Sequence, residues 1–259
     1  MLKRKISTVY TLLRDGGIKN LYDYSRMRLQ VLAKRRRKQV RLDGCLFSLD
    51  GITDDCIRVE LFTNKYERPE RRAVARYLKR DMPVIELGGS MGVVACVTNK
   101  ILADPTAHVV VEANPLAVPQ LELNRKLNGC RFEIVNRAIA YGADSVTFRP
   151  SSDLAGSSIT RAGDQAPVTV ATVELGELAH DRGFKRFTLV CDIEGLEYEL
   201  VCQEADVLKN ADTIIMETHA RFTGAEKLSD MMARLKDLGF TLVDEIGFVV
   251  VLQQVPNIA

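Results

Sequence analysis

Short apolar runs rich in valine and isoleucine alternate with helical patterns along most of this chain, and this alternation constrains its fold more than any other feature. Strands are expected at 83–87, 108–112, 187–192 and 213–218. Helices are expected between and after them, at 92–103, 116–128, 196–206 and 225–238. Because the strands are apolar throughout, the pattern predicts a parallel, doubly wound sheet that helices cover on both faces.

The closing segment TLVDEIGFVVVLQ contains two β runs joined by little more than Glu245-Ile246-Gly247. That connection is too short for a crossover helix, so the two runs are expected to pair antiparallel. A mostly parallel α/β sheet with a C-terminal antiparallel hairpin resembles the Rossmann-like layout of class I methyltransferases. Dehydrogenase Rossmann domains usually lack the hairpin.

Two patterns precede the sheet. The runs CLFSL at 45–49 and IRVELF at 57–62 predict a small β region. The segment ERPERRAVARYLKR predicts a helix, with Pro69 near its start.

The first 41 residues are strongly basic. They hold 13 lysines and arginines and two acidic residues, which gives residues 1–41 a net charge of +11. Apolar residues recur there at helical spacing, so we predict a basic amphipathic helical extension at 1–41, followed by a methyltransferase domain at 42–259. The extension is expected to contact an anionic membrane or to pack on its own domain, and nucleic acid is a weaker alternative.

The length of the apolar runs bears on where the protein resides. No run approaches the roughly 20 residues that cross a bilayer. We therefore expect a cytoplasmic protein, with peripheral contact at the inner face of the membrane through residues 1–41.

A glycine-rich turn follows the first strand of the sheet, in VIELGGSMGVV. Gly88 and Gly89 allow a tight turn, and Gly92 lets the next helix start close to the sheet. The spacing differs from the G-x-G-x-x-G of dinucleotide sites, and Glu86 would repel a diphosphate. A carboxylate there suits an ammonium group, so we predict S-adenosyl-L-methionine, which has no phosphate.

Polar residues at the ends of the next strands extend this predicted site. Glu112 ends HVVVE, where a carboxylate can accept hydrogen bonds from both ribose hydroxyls, as in NAD sites as well. Asn136 to Ala138 end the following strand, where adenine is expected. The expected cofactor-binding residues are Glu86, Gly88, Gly89, Ser90, Gly92, Glu112, Ala113, Asn114, Asn136 and Ala138.

Acidic residues and one histidine end the last two parallel strands. Residues two apart on a strand share a face, so Asp192 with Glu194 and Glu217 with His219 are expected beside the cofactor. Asp192, Glu194 and Glu217 could hold Mg²⁺, or His219 could act as a general base that Glu217 or Asp192 orients. The alternative is structural: acidic residues favour helix starts, and a lone histidine is often only hydrogen bonded.

Five segments resemble the FkbM-type methyltransferase family over residues 70–252: VIELGGSMGVVACV, VVVEANP, TVEL, LVCDIEGLEYELV and IIMETH. The resemblance implies S-adenosylmethionine-dependent O-methylation of saccharides, polyketides and related natural products. It also implies that the glycine turn with Glu86 holds the methionine part and that Glu112 holds the ribose. The chain departs from the family by having Glu86 for Asp, Ser90 for Asn and Cys191 for Lys.

Two other functions are compatible with the sequence. An NAD-dependent reductase would share the sheet and Glu112 but requires the missing G-x-G-x-x-G. A non-catalytic, membrane-associated protein could keep the fold without the activity. The acceptor is expected to be a small molecule or a saccharide.

Overall fold

The computed structural model describes residues 37–52, 54–150, 163 and 165–254. The predicted basic extension therefore lies outside the described residues except for 37–41, and its membrane contact stays a prediction. None of the helices in the described part of the chain is long and apolar enough to cross a membrane.

The chain divides into two compact units. The first comprises Met1–Val40 and Leu49–Tyr66, and the second comprises Arg41–Ser48 and Glu67–Ala259. Two short strands, β1 (Gln39–Leu42) and β2 (Cys45–Ser48), lie near the boundary, and β2 confirms the strand expected at 45–49.

The first unit contains helix α1 (Asp55–Phe62), so the strand expected at 57–62 is wrong. Asp54 favours a helix over a strand here, because its side chain accepts hydrogen bonds from the backbone N–H groups of Cys56 and Ile57. Such an N-cap satisfies donors that a helix start leaves unpaired. The buried side chains of this helix are Ile57, Val59 and Leu61, whose alternate spacing resembles that of a strand.

The second unit is built on a seven-stranded sheet. Its strands are β3 (Val84–Leu87), β4 (His108–Val111), β5 (Glu133–Val135), β9 (Phe187–Cys191), β10 (Ala211–Glu217), β11 (Phe240–Ile246) and β12 (Val249–Gln254). A second sheet of three strands comprises β6 (Ala138–Ile139), β7 (Ser145–Phe148) and β8 (Val168–Val173).

The strand order in the large sheet is β11-β12-β10-β9-β3-β4-β5. The pairs from β10 through β5 are parallel, whereas β12 pairs antiparallel with both β10 and β11. The predicted hairpin is thus confirmed, and β12 lies between β11 and β10. This order, with one inserted antiparallel strand, defines the Rossmann-like fold of class I methyltransferases.

Helices connect the strands of the second unit. They are α2 (Arg68–Tyr77), α3 (Val93–Ile101), α4 (Val118–Leu127), α5 (Leu175–Asp181), α6 (Glu197–Gln203), α7 (Ala205–Leu208), α8 (Ala220–Thr223) and α9 (Ala225–Asp237). The helix expected at 196–206 is two helices, since α6 ends at Gln203 and α7 begins at Ala205. Pro69 lies in the first turn of α2, as predicted.

Successive residues of each central strand pack on opposite faces of the sheet. Ile85 and Leu87 of β3 belong to the core on one face, and Val84 belongs to the core on the other. Helix α2 covers that second face, where Ala73 and Val74 pack with side chains from β9, β10 and β12. The carboxyl ends of β3, β4, β9 and β10 meet at one edge of this layered structure.

Candidate functional site

The glycine turn after β3 lies directly against the end of β9. Gly88 has φ +91° and Gly92 has φ +81°, which favour glycine. A Cβ atom on Gly88 would lie 1.8 Å from the carbonyl oxygen of Asp192, and one on Gly89 would lie 2.5 Å from Cγ1 of Val110. The glycines are therefore required by close packing, and they bring the predicted cofactor turn to Asp192.

Glu112, which follows β4, is fixed by two backbone groups. One carboxylate oxygen accepts a hydrogen bond from Ser90 N and the other accepts one from Asn114 N, both at 2.6 Å. Ser90 adopts a left-handed φ of +44°, which few residues other than glycine favour. Burial raises the pKa of Glu112, and these two hydrogen bonds oppose that rise. Free lone pairs remain on the carboxylate for a hydroxyl-bearing ligand.

Three further predicted residues follow β4 and β5. Nδ2 of Asn136 donates to the backbone carbonyl of Glu112 at 2.7 Å and lies 3.4 Å from the carbonyl of Ala113. Ala138 is buried at the start of β6. The structure thus joins the ends of β3, β4 and β5 through Ser90, Glu112 and Asn136. Contact of these residues with a cofactor stays a prediction.

Glu86 differs from what its sequence position suggested. Its side chain is 3% exposed, and Oε2 lies 3.3 Å from Nε2 of His108, on β4. Burial raises the pKa of Glu86 to about 8 and lowers the pKa of His108 to about 3. Both groups are therefore largely uncharged at neutral pH, and the expected charge selection by Glu86 loses its physical basis.

Replacing Glu86 by Gln should change how stability depends on pH. The folded protein keeps the Glu86 proton up to about pH 8, whereas the unfolded chain loses it above the ordinary pKa of 4.5. Between these two pKa values, Glu86 ionises in the unfolded chain only. The free energy of unfolding therefore falls as pH rises, by at most about 1.4 kcal/mol per pH unit. Relative to wild type, Glu86→Gln should become more stable by at least about 2 kcal/mol between about pH 5 and 8.

Urea unfolding at several pH values measures this difference. Glu226→Gln, at an exposed position on α9, is the matched control and should follow the wild type. Parallel stability curves for Glu86→Gln and wild type would contradict a buried, protonated Glu86.

His219 lies at the centre of an acidic cluster at the ends of β9 and β10. Its Nδ1 lies 2.9 Å from Oε1 of Glu197. Its Nε2 lies 3.6 Å from Oδ1 of Asp192, 3.5 Å from Oε2 of Glu194 and 4.0 Å from Oε2 of Glu217. The structure therefore brings together all four predicted residues of this cluster, with Glu197 added.

Glu197 holds the imidazole in place of Glu217 or Asp192, the expected partners. Its Oε1 also accepts hydrogen bonds from Ile193 N and Gly195 N, both at 3.2 Å, and its side chain is 3% exposed. A carboxylate held in this way fixes the orientation of the ring and leaves Nε2 facing Asp192, Glu194 and Glu217. Glu197 belongs to the segment LVCDIEGLEYELV, which carries the family resemblance, but nothing in the sequence related it to His219.

Several carboxylates shift the pKa values in this cluster. Burial lowers the pKa of His219, but Glu197, Glu217 and Glu194 outweigh it, so the net pKa is raised. Burial, Glu217 and Glu194 raise the pKa of Asp192 well above its usual range. Burial, with Glu67 and Glu217, raises the pKa of Glu70, on α2, to about 8. Glu67 and Glu70 could not be assigned to the site from the sequence, because nothing local in the sequence relates α2 to β10.

The geometry offers little support for the predicted Mg²⁺ site. Among the described residues, donor atoms within 4.8 Å of one another belong to Asp192, Glu197 and His219, not to the predicted Asp192, Glu194 and Glu217. Mg²⁺ prefers oxygen ligands, whereas this group includes an imidazole, and Glu197 is already hydrogen bonded. The group could accept a cation, but not with the predicted ligand set.

The fold and this edge define a protein of the class I methyltransferase fold with an acidic, histidine-containing cluster beside the glycine turn. M. jannaschii TYW2 in complex with AdoMet is similar to it, with 14% identity, 85% of this chain and 88% of that chain covered, and a TM-score of 0.46. Precorrin-6y C5,15-methyltransferase from Geobacter metallireducens is 12% identical, with 82% and 95% covered and a TM-score of 0.43. Fibrillarin from Aeropyrum pernix, with natively bound S-adenosyl-L-methionine, is 11% identical, with 67% of each chain covered and a TM-score of 0.41.

No protein-family model and no curated protein matches the chain. Membership of the FkbM-type family therefore stays a prediction. At such identities and TM-scores, the three structures do not reveal what this chain binds.

Proposed function

We propose that this chain is an S-adenosylmethionine-dependent methyltransferase that methylates a hydroxyl oxygen of a saccharide or related natural product, as its FkbM-type resemblance implies. The observation that carries the proposal is the close approach of Gly88 to the carbonyl of Asp192. Because the two are in contact, a cofactor on the glycine turn is adjacent to the cluster around His219.

The residues of the turn fit such a cofactor. When bound, S-adenosylmethionine supplies an electrophilic methyl group on a sulfonium. The backbone of Gly88 to Gly92 would hold the methionine part, and Glu112 would accept hydrogen bonds from the ribose hydroxyls. Asn136 would border the adenine, with Ala138 buried behind it. Glu112 suits this role because Ser90 N and Asn114 N already hold its carboxylate in one orientation.

His219 is the general base in this proposal. Its Nε2 accepts the proton that the acceptor hydroxyl releases, while Glu197 holds Nδ1 and favours the imidazolium that forms. Asp192, 3.6 Å from Nε2, orients the acceptor. Glu217, 4.0 Å from Nε2, also orients the acceptor and stabilises the same positive charge, since it contributes to the raised pKa of His219.

Calorimetry with the full chain tests the cofactor assignment. S-adenosylhomocysteine should bind, and Glu112→Gln should weaken it about tenfold or more, because one ribose hydroxyl loses a charged acceptor worth about 1.5–3 kcal/mol. Glu122→Gln, on the exposed face of α4, should bind like the wild type. Tight NADH binding with no response to S-adenosylhomocysteine would indicate the reductase instead.

A further inference from the structure

A second element contributes a buried carboxylate to the cluster around His219. Glu70 lies on α2, one turn before Ala73 and Val74, which pack on the sheet. Its side chain is therefore on the face of α2 that covers β10. Glu70 is 7% exposed, and its Oε2 has no hydrogen-bond partner among the residues that the structure describes.

The register of the strands places two more carboxylates, those of Asp192 and Glu217, on the sheet face that α2 covers. Val190 and Ile215 pack with Val74 on this face, and Asp192 and Glu217 follow them by two positions. Residues two apart on a strand share a face, so both carboxylates extend the surface that α2 covers. The side chains of Asp192 and Glu217 are 28% and 21% exposed, so this acidic surface is open to solvent.

Among the described residues, the basic side chain beside this surface is His219. Without a bound ligand, burial and the neighbouring carboxylates keep protons on the surface, since they raise the pKa of Glu70 to about 8 and that of Asp192 well above its usual range. Within the part of the chain that the structure describes, Glu70, Asp192 and Glu217 form no ion pair with a lysine or an arginine. Oδ1 of Asp192 is also buried without a hydrogen-bond partner among those residues. Buried carboxylates without a partner are unfavourable, because they lose the hydrogen bonds of water without replacement. Retained protons and the hydrogen bond between Glu70 and Glu217 reduce this cost in the unliganded protein. A bound cation would displace those protons and pair with the ionised carboxylates.

We propose that the acceptor carries a protonated amine on the carbon next to the methylated hydroxyl, and that Glu70, Asp192 and Glu217 bind this amine. Nε2 of His219 lies 3.6 Å from Asp192 and 4.0 Å from Glu217, and these short separations match an acceptor whose amine and hydroxyl are on adjacent carbons. A charged amine can donate hydrogen bonds to several carboxylates at once. An inorganic ion such as Mg²⁺ would require its oxygen ligands in a tighter geometry. The inference deepens the proposed function, since the acceptor site is the one assigned there.

A matched pair of sugars tests the inference. Methyl glucosaminide has a protonated amine beside a hydroxyl, and methyl N-acetylglucosaminide has the same ring with a neutral amide. We expect the full chain to bind the amine at least about tenfold more tightly, as measured by calorimetry without a methyl donor. Glu70→Gln should remove most of this preference, whereas Glu226→Gln, on the exposed face of α9, should retain it.

Three results with the sugars would overturn the inference: equal affinity for the two, binding of neither at millimolar concentration, or a preference that Glu70→Gln leaves intact. Tight binding of Mg²⁺ that Glu70→Gln abolishes would also overturn it, in favour of an inorganic ion. Failure of the proposed function is distinguishable, because it appears as loss of S-adenosylhomocysteine binding in a separate titration.

Discussion

His219→Asn should slow methyl transfer at least about a hundredfold while leaving S-adenosylhomocysteine binding unchanged. The variant removes the Nε2 atom that receives the acceptor proton, and a positioned general base contributes about 10² to 10⁴ in rate. The rate of labelled methyl transfer into a fractionated extract of the source cells measures the effect. Since the surrounding carboxylates raise the pKa of His219, the wild-type rate should rise with pH through a midpoint above the ordinary value of 6.5.

Two variants separate catalysis from positioning at this site. His180→Asn changes an exposed histidine, 90% accessible, and should keep the full rate. Glu197→Gln should move the midpoint of the pH–rate curve to lower pH, because it removes the carboxylate that hydrogen bonds Nδ1 and raises the pKa. Full turnover by His219→Asn would exclude His219 as the base.

Gly88→Ala should have the largest effect on stability and should abolish cofactor binding. Its Cβ would lie 1.8 Å from the carbonyl oxygen of Asp192, a backbone atom that cannot rotate away. The added strain comprises about 1–2 kcal/mol for an L residue at φ +91° and at least about 2 kcal/mol more for the displaced backbone. Urea unfolding and calorimetry with S-adenosylhomocysteine measure the two losses.

Gly142→Ala is the matched control for Gly88→Ala. Gly142 has φ +75°, but a Cβ there would have no atom within 4 Å. This variant should lose about 1–2 kcal/mol from the left-handed backbone alone and should bind the cofactor normally. Equal urea midpoints for the two variants would contradict the predicted clash, because they would show that the backbone at the end of β9 moves to accommodate the added methyl group.

The four central parallel strands could be predicted to within two residues because nearly all of their positions are buried. β3, β4 and β9 are buried at every position and β10 is buried at five of seven, whereas a helix with one solvated face alternates buried and exposed positions. The error at 57–62 has a different origin. There Ile57, Val59 and Leu61 alternate as in a strand, but the cap by Asp54 favours a helix.

The ends of the strands located the candidate site, but the contacts inside it could not be predicted. Glu197 is 22 residues from His219, and no periodic pattern links the two. Glu70 reaches the cluster only because α2 packs over β10, which depends on the tertiary fold. The buried contact between Glu86 and His108 was missed because it depends on which side of each strand the neighbouring side chains occupy.

The position of β12 has a consequence for how the protein matures. β10 ends beside His219 and lies between β9 and β12, yet β12 follows every other described strand in the chain. While a ribosome is still translating the chain, β10 would keep an unpaired edge until the residues of β12 emerge. The edge beside His219 therefore completes its hydrogen-bonded framework only after β12 is synthesised, and until then β10 is open to pairing with other nascent chains.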